Sequence, residues 1–551
     1  MNITIFIVLY LVHQTVCTDS RPLVTTSSGV VRGQTLYLNN KKIDQYLNIP
    51  FAEPPVGRLR FAKPVPLKTP QNEIINGIYP GNSCIQDIIG NQKPLTESED
   101  CLVLNVWSPN MNSTNDTTLK PVMFWIYGGG LSMGSIFQET FNGTVLATYD
   151  MVIVAANYRV GALGFLYGAD DSAPGNLGFY DQLLALQWLR DNVHVFVGDR
   201  DLITIFGQSA GSTSIAAHIL SPLSNGLFKR AIMQSGSLLF NKDRPLLDTT
   251  DALKRFKQMA RQLDCDPYDY RWLDCLRDIP DPKLFCNKPH NYSALPFNFP
   301  VIGTEFLPQL PLKSFSLASL NIDIDLMAGT TTDEGPGLLL GSYTESKSHM
   351  NRQLFDKLLN EMDNDFHNLE IDKLLTHYLN NANNSINDSN NLLNALGTLY
   401  GDLLMVCPTY LFTKLLSMVQ NYGKNVYYYR FDYKSDKMDN PWKILEKYMG
   451  LNGSLIHHSS DLDFVFGTPI IKQQDFSELD YDFSLEVMKM WTDFAKYGKP
   501  SNDWPKFLDT TVGDDNQLVS KIKVLTPYDL TRVEENPFLS TCDGVWKQYF
   551  L

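Results

Sequence analysis

Residues 202–220, LITIFGQSAGSTSIAAHIL, have the most informative structural pattern in the sequence. LITIF is an apolar run that predicts a buried strand, and STSIAAHIL has apolar residues at helical spacing. GQSAG (207–211) lies between them, so a sharp turn must carry the chain from strand to helix. The flanking glycines remove side chains that would clash in that turn. Such a turn exposes its central side chain and aims helix N–H groups at developing negative charge, so Ser209 is the candidate nucleophile.

A second G-x-S-x-G match lies in WIYGGGLSMG (125–134), with Ser132 at its centre. The residues after Ser132, MGSIFQETFNGT, have no helical period, so this serine lacks the strand–turn–helix setting. Three glycines after an apolar strand can instead aim backbone N–H groups at an oxyanion. A simple glycine turn is the alternative, but the neighbouring GQSAG unit favours the oxyanion interpretation.

The segments around this unit indicate an α/β protein. Apolar strand-like segments alternate with helical ones, which predicts a mostly parallel sheet covered by helices on both faces. The predicted strands are VMFWIY (122–127), MVIVAANYR (151–159), LITIF (202–206), IDLMAGT (324–330) and VYYYRFDY (426–433). Residues 178–193 form the helical segment between the second and third of them. Periodic segments continue to the end, so residues 18–551 are predicted to form one domain with large insertions.

Composition limits the classes of partner. The 551 residues include 60 acidic and 46 basic ones, for a net charge of −14. An acidic chain without a Lys/Arg cluster repels phosphate backbones, which argues against a nucleic-acid partner.

Residues 1–17 have the pattern of a secretory signal peptide. Ile3 to Val12 is an apolar run, and Thr15-Val16-Cys17 supplies small residues for cleavage. No Lys or Arg precedes the run, so an ordinary buried N-terminal segment stays open as the alternative. The run is too short to span a bilayer, and no lipid-anchor signal closes the chain, so we expect a secreted protein without a stable membrane anchor.

Cysteines and sequons agree with an exported protein. Removing Cys17 leaves seven cysteines, and an odd number in an oxidising compartment indicates disulfides plus one further thiol. N-x-S/T sequons, each a candidate glycosylation site, lie at Asn112, Asn115, Asn142, Asn291, Asn383, Asn387 and Asn452.

From about residue 23 onward the chain resembles the type-B carboxylesterases, the cholinesterase-like group of α/β-hydrolases. The motifs that carry the resemblance are NIPFAEPPVGRLRF (48–61), SEDCLVLNVWSP (98–109), WIYGGG (125–130), NYRVGALGF (157–165), GNLGFYDQLLALQWL (175–189), FGQSAG (206–211), TTDEG (331–335) and HHSSDLDFVFG (457–467). They are long, specific and in the family's order. The resemblance implies the α/β-hydrolase fold and carboxylic-ester hydrolysis.

The resemblance also implies a Ser-Glu-His triad. Ser209 matches the nucleophile, Glu334 the acid and His458 the base, in the α/β-hydrolase chain order. From the residues alone, Asp333 and His457 are nearly equal candidates for the acid and the base; the family pattern favours Glu334 and His458.

Further roles come with the family pattern. Its oxyanion donors fall on the N–H groups of Gly129, Gly130 and Ala210. Its disulfides imply the pairs Cys84–Cys101, Cys265–Cys275 and Cys407–Cys542, which leaves Cys286 over. Its bracing ion pairs correspond to Arg60 with Glu99 and Arg159 with Asp181.

Departures from the pattern bear on the substrate. Cholinesterases have a glutamate before the serine, where this chain has Gln208, and a tryptophan in the first disulfide loop, where residues 85–100 contain no aromatic side chain. Binding a cation over an aromatic face contributes ~0.5–2 kcal/mol. The lack of an aromatic residue in this loop therefore argues against choline esters. Tyr127, however, follows the cholinesterase form. Phe297 and Phe299 fall near the family's acyl pocket, although core packing explains them equally well.

The leading hypothesis is a secreted serine esterase that acts on a small-molecule carboxylic ester and needs no metal or organic cofactor. A juvenile hormone esterase, since GQSAG also occurs in that insect group, and a cholinesterase-like enzyme are the enzymatic alternatives. A neuroligin-like binding protein is a further one, although such relatives lose the serine. An esterase that binds and turns over slowly lies between these hypotheses.

Overall fold

The computed structural model describes most of the chain. The described residues are 21–86, 96–110, 118–240, 247–286, 300–317, 320–347, 350–366, 368–380, 389–420, 423–436, 455–509 and 518–551. The predicted signal peptide, Phe297, Phe299 and every sequon asparagine except Asn142 lie outside them.

Strands run through the whole described length. They are β1 (Leu23–Thr26), β2 (Gly29–Arg32), β3 (Gln34–Leu38), β4 (Lys41–Pro50), β5 (Gln71–Asn76), β6 (Ser83–Cys84), β7 (Glu97–Ser98), β8 (Val103–Pro109), β9 (Lys120–Ile126), β10 (Val152–Ala156), β11 (Tyr167–Asp170), β12 (Ala173–Pro174), β13 (Gly198–Gln208), β14 (Arg230–Gln234), β15 (Asp325–Thr331), β16 (Val426–Phe431), β17 (Leu508–Asp509), β18 (Val519–Leu525) and β19 (Val533–Glu535). The five segments predicted as strands lie in β9, β10, β13, β15 and β16.

The helices connect these strands. They are α1 (Thr144–Ala147), α2 (Gly161–Phe165), α3 (Leu177–Asn192), α4 (Ala210–Leu220), α5 (Thr249–Gln262), α6 (Trp272–Arg277), α7 (Pro311–Ser316), α8 (Gly335–Ser342), α9 (Arg352–Phe366), α10 (Ile371–Asn380), α11 (Ser389–Gly401), α12 (Cys407–Val419), α13 (Leu462–Phe466), α14 (Thr468–Ile471), α15 (Glu478–Tyr497) and α16 (Lys547–Phe550). Two π-helical turns, Asp402–Val406 and Thr541–Val545, precede α12 and α16.

Twelve of the described strands form one sheet in the order β17-β18-β16-β15-β14-β13-β9-β10-β8-β4-β3, with β19 paired to β18. The strands from β10 to β18 in this order run parallel to one another. Antiparallel strands β8, β4 and β3 extend one edge, and β17 and β19 extend the other. The predicted α/β class and mostly parallel sheet are therefore confirmed. The carboxyl ends of β9, β13 and β15 share one edge, and this edge receives the candidate active site.

Large aromatic side chains pack beneath that edge. Trp125 of β9 is fully buried, with its ring centre 4.8 Å from that of Phe206 on β13 and 4.9 Å from that of Phe466 on α13. Burying an aromatic ring of this size contributes on the order of 2–3 kcal/mol, so the cluster fixes the relative positions of two strands that carry site residues.

Three disulfides and two buried ion pairs brace the fold as the resemblance implies. Cys84–Cys101, Cys265–Cys275 and Cys407–Cys542 are bonded, and Cys286 lies outside these pairs. The guanidinium of Arg60 contacts both carboxylate oxygens of Glu99 at 2.6 and 2.7 Å. Arg159 contacts Asp181 in the same bidentate way at 2.8 and 2.7 Å. Bidentate geometry offsets much of the desolvation cost of such buried pairs.

One continuous helical run, Ser389–Val419, is long and apolar enough to cross a membrane by length and composition alone. More than half of its most apolar segment is buried within the protein. Cys407, Leu411 and Phe412 in this run are completely buried. A core helix passes the same test, and these residues belong to the main hydrophobic core.

Candidate active site

Ser209 occupies the turn between β13 and α4, as the local pattern predicts. Its backbone has φ 59° and ψ −124°, a strained combination for a residue with a side chain. The neighbouring chain leaves no space for a side chain at Gly211, since a Cβ atom there would lie 2.0 Å from the Ile126 carbonyl oxygen. The Thr213 amide donates to the Ser209 carbonyl at 2.9 Å and starts the helix. The serine side chain is therefore presented at the carboxyl end of the sheet.

Glu334 follows β15 and is almost completely buried. Oε1 of its carboxylate accepts hydrogen bonds from the Ser235 hydroxyl at 2.5 Å and the Thr331 amide at 2.7 Å. Oε2 lies 2.5 Å from Nδ1 of His458. Both oxygens have donors, so the carboxylate is held in one orientation.

His458 lies in a turn after β16 and is also buried. A carboxylate oxygen accepts hydrogen bonds, so the hydrogen of a neutral His458 ring lies on Nδ1 and the lone pair lies on Nε2. The side-chain amide nitrogen of Gln208 lies 3.0 Å from Nε2. The geometry therefore gives a carboxylate–imidazole pair whose basic nitrogen faces the strand that carries the serine.

Asp333 and His457, the chain neighbours of Glu334 and His458, make other contacts. Asp333 accepts from the Ile456 amide at 2.8 Å through its carboxylate, and its own amide donates to the Ile456 carbonyl at 3.0 Å. Asp333 and His457 form an isolated parallel β-bridge. The structure thus brings Glu334, rather than Asp333, to the imidazole of His458.

The glycines after β9 lie against the serine. A Cβ atom at Gly128 would be 2.9 Å from the Ser209 Cβ and 2.5 Å from the Gln208 carbonyl oxygen, so only glycine allows this approach. Gly129 and Gly130 have φ values of 112° and 61°. Within the described part of the chain, the N–H groups of Gly129, Gly130 and Ala210 donate to no other residue. Because these N–H groups make no hydrogen bond to a described residue, they are available to an oxygen atom of a ligand.

Ser132 belongs to a surface turn. Its hydroxyl donates to the Gly130 carbonyl at 3.2 Å, and its amide donates to the Gly129 carbonyl at 3.0 Å. No helix begins after it before residue 139. Its predicted lack of the strand–turn–helix setting is confirmed.

Tyr127, which precedes the glycines, is a structural residue. It is fully buried, and its ring stacks on that of Tyr158 with ring centres 4.3 Å apart. The Tyr127 hydroxyl donates to the Tyr158 carbonyl at 2.9 Å, and the Tyr158 hydroxyl donates to the Tyr127 carbonyl at 2.8 Å. This reciprocal pair anchors the start of the glycine loop.

The sequence patterns did not identify a further group of buried polar residues close to Glu334 and His458. Asp461 is buried, and its Oδ2 accepts from the Gln234 amide at 2.8 Å and from the Tyr429 hydroxyl at 3.1 Å. Burial raises the pKa of Asp461 to about 6, with the negative charge of Glu334 adding to that rise. Ser235 and Gln234 come directly at the end of β14, and that position at the carboxyl end of a parallel strand is the signal that could have found them.

Asn142 is the one predicted glycosylation site in the described residues. Its Oδ1 accepts from both the amide and the hydroxyl of Thr144, at 2.9 and 2.5 Å. The sequon thus forms a local turn before α1.

Comparisons with known proteins agree over most of the chain. The family model described as "Carboxylesterase family" matches residues 20–535. A cholinesterase from Mus musculus is 34% identical over 521 residues, which cover 90% of this chain and 82% of the relative. An acetylcholinesterase from Leptinotarsa decemlineata is 30% identical over 526 residues, which cover 88% of this chain and 80% of that relative.

Proposed function

The chain belongs to the carboxylesterase family and is a carboxylic ester hydrolase, and we propose that it works through an acyl-enzyme on Ser209 with His458 as base and Glu334 as acid. The observation that carries the proposal is the 2.5 Å contact between Nδ1 of His458 and Oε2 of Glu334. This contact keeps the hydrogen on Nδ1 and makes Nε2 the nitrogen that accepts the serine proton.

Acylation is the first half of the reaction. The Ser209 hydroxyl oxygen attacks the ester carbonyl carbon, and its proton passes to Nε2 of His458. The N–H groups of Gly129, Gly130 and Ala210 stabilise the negative oxygen of the tetrahedral intermediate. The bond from carbon to the alcohol oxygen then breaks, and His458 gives its proton to the departing alcohol.

Deacylation repeats these steps with water. His458 takes a proton from a water molecule whose oxygen attacks the acyl carbon, and the new intermediate collapses to release the carboxylic acid. The Ser209 oxygen leaves as it regains a proton from His458, which restores the starting state. Glu334 stabilises the imidazolium that forms in each half and stays ionised throughout.

The substrate we propose is a small neutral ester rather than a choline ester. A quaternary ammonium is recognised by a carboxylate or an aromatic face, but the residue beside the serine is the neutral, buried Gln208. Residues 85–100 between the first two bonded cysteines contain no aromatic side chain. An apolar hormone-like ester and simple alkyl or aryl esters belong to the same proposed class.

Secretion and glycosylation are part of the proposal. Three disulfides in one chain are typical of an oxidising compartment. We propose removal of residues 1–17 and glycan attachment at some of the seven sequons. Sequencing the N-terminus of the exported protein tests the first point, with Thr18 expected. The mass lost on enzymatic deglycosylation tests the second, and an unchanged mass would contradict it.

Labelling with an organophosphate tests the site. The serine oxygen displaces the leaving group at phosphorus, and peptide mass spectrometry locates the adduct, which we expect on Ser209. The variant Ser209→Ala should lose the label and reduce turnover by at least ~10³-fold. Ser132→Ala, which changes the centre of the other G-x-S-x-G match, is the control and should keep both. Labelling of Ser132, or full activity in Ser209→Ala, would overturn the assignment.

Parallel assays test the substrate class. Naphthyl acetate, acetylthiocholine and juvenile hormone are compared by kcat/KM on the same preparation. We expect naphthyl acetate or the hormone ester to exceed acetylthiocholine by tenfold or more. Faster hydrolysis of acetylthiocholine would contradict the neutral-ester proposal while leaving the triad intact. Stoichiometric labelling with negligible turnover of all three esters would favour an esterase that binds its ligand and turns it over slowly.

A further inference from the structure

The structure assigns to Gln208 the role of a positioning residue that keeps His458 neutral by donating its side-chain N–H to Nε2, the nitrogen that must accept the serine proton. This inference rests on the proposed function, because it concerns the same imidazole. It goes further by giving the residue before the serine a defined effect on the pH dependence of the reaction.

The direction of the hydrogen bond follows from the other side of the ring. Glu334 has Oε2 2.5 Å from Nδ1 and accepts on Oε1 from two further donors, so it takes the Nδ1 hydrogen. Nε2 of the neutral ring is then an acceptor only, and its neighbour at 3.0 Å must be a donor. The amide group of Gln208 therefore presents its NH₂ rather than its oxygen to His458.

The surroundings hold the amide in place. Gln208 is the last residue of β13, its side chain is 3% exposed, and the chain on either side is fixed in the sheet and in the Ser209 turn. Its Oε1 lies 3.1 Å from where a Cβ on Gly128 would be, so the glycine loop covers the other end of the amide. A buried side chain packed in this way cannot turn away from the imidazole without moving the glycine loop.

The hydrogen bond from Gln208 affects the stability of the protonated form of His458. When His458 accepts the serine proton, the new Nε2–H faces the N–H of Gln208, and two donors repel each other. The amide thus disfavours the imidazolium and favours passing its proton to the departing alcohol. Among the described residues around the ring, two carboxyl groups have the opposite effect and stabilise the imidazolium. Glu334 contacts Nδ1, and the charge of Asp461 also interacts with His458.

Two substitutions, compared with wild type, should order the pH profile of kcat/KM. The acidic limb of this profile is the pH range in which His458 gains a proton and activity falls. Of the three proteins compared, wild type should have this limb at the lowest pH. Gln208→Met removes the donor without adding charge and should move that limb upward slightly. Gln208→Glu places a carboxylate about 3 Å from Nε2 and stabilises the imidazolium, so the limb should move up by at least ~1 pH unit. In both variants KM should change less than kcat.

A matched control uses another buried glutamine–histidine pair. Gln182 is buried, and its Oε1 lies 3.1 Å from Nε2 of His218, outside the proposed site. Gln182→Glu makes the same chemical change beside a histidine that takes no part in the reaction. It should leave the acidic limb where it is in wild type.

A second measurement reads the protonation of His458 without turnover. Diethyl pyrocarbonate acylates the neutral imidazole, and mass spectrometry gives its rate at His458 as a function of pH, also in the Ser209→Ala background. The expected order of the midpoints is wild type, Gln208→Met, then Gln208→Glu. If wild type hydrolyses no ester but the midpoints keep this order, the proposed function fails and the role of Gln208 stands. Equal midpoints or equal acidic limbs in wild type and Gln208→Met would overturn the inference.

Discussion

Ser235 donates a hydrogen bond of 2.5 Å to Oε1 of Glu334, while the other carboxylate oxygen contacts His458. The two residues lie 99 positions apart and follow neighbouring strands, β14 and β15. A hydrogen bond to a carboxylate contributes about 1.5–3 kcal/mol, and part of that holds the carboxylate in the plane that suits the imidazole.

Ser235→Ala should therefore lower kcat on naphthyl acetate by roughly tenfold with little change in KM, because one donor to Glu334 is lost and the Thr331 amide remains. The control is Ser484→Ala, which removes a buried serine hydroxyl of α15 that donates to the Phe464 carbonyl. It should change the melting temperature without a selective loss of kcat. Equal kcat in the two variants would show that Ser235 does not orient Glu334.

The strand–turn–helix unit could be predicted because its determinants are local. LITIF, GQSAG and STSIAAHIL specify strand, turn and helix within 19 residues. The structure extends β13 at both ends, from Gly198 to Gln208, and begins α4 at Ala210, so the turn is shorter than predicted. The parallel order of the central strands follows from their alternation with helices. The antiparallel edges formed by β3, β4 and β8 carry no such local signal, since their pairing depends on which sheet edge the N-terminal segment reaches.

The contacts between distant parts of the chain could not be predicted from the residues alone. Asp333 and Glu334 are adjacent acids, and only the path of the chain after β15 directs one to the imidazole and the other to the Ile456 backbone. The Gln208–His458 contact joins residues 250 positions apart. The roles of Glu334 and His458 came from the family pattern, and that pattern specifies neither Ser235 nor Asp461.

Gly211→Ala should prevent the Ser209 turn from forming. The added Cβ would lie 2.0 Å from the Ile126 carbonyl oxygen, which is backbone of the neighbouring strand and cannot yield. We expect loss of soluble protein, or a fall in the free energy of unfolding of more than ~3 kcal/mol, measured by denaturant titration. Gly341→Ala is the control, because a Cβ there meets no atom within 4 Å, and its stability should stay within ~1 kcal/mol of wild type. A soluble, fully active Gly211→Ala protein would contradict the geometry of this turn.

The Cys407–Cys542 disulfide should contribute more stability than Cys265–Cys275. It joins positions 135 residues apart, against 10 for the other pair. The chain-entropy model gives about 5 kcal/mol for a loop of that size and about 3 kcal/mol for the short one. Cys407→Ala/Cys542→Ala should therefore lower the melting temperature further than Cys265→Ala/Cys275→Ala does, as measured by calorimetry at one pH. The reverse order would show that native-state contacts, rather than loop closure, decide the effect.

Asp402 should make the fold less stable as the pH rises. Asp402 is the first residue of the π-helical turn before α12 and is buried. Its carboxylate accepts a hydrogen bond from the Tyr378 hydroxyl at 2.6 Å, and that hydroxyl accepts one from the Trp546 ring N–H at 2.6 Å. Burial raises the pKa of Asp402 from 3.8 to about 7, with the Tyr378 bond opposing that rise. The folded state therefore holds the proton more tightly than the unfolded chain does.

The sign follows from that difference in proton binding. Below pH 4 the group is protonated in both states and costs nothing, whereas between pH 4 and 7 the unfolded state releases the proton first and gains in relative stability. Above pH 7 the loss levels off at on the order of 4 kcal/mol. Asp402→Asn keeps an oxygen for Tyr378 without the charge, so it should raise the melting temperature by a few degrees at pH 8 and change it little at pH 4. Tyr378→Phe, which removes the donor, should instead lower the melting temperature at both pH values. Equal melting temperatures for wild type and Asp402→Asn at pH 8 would mean that water or a cation reaches the carboxylate and restores its ordinary acidity.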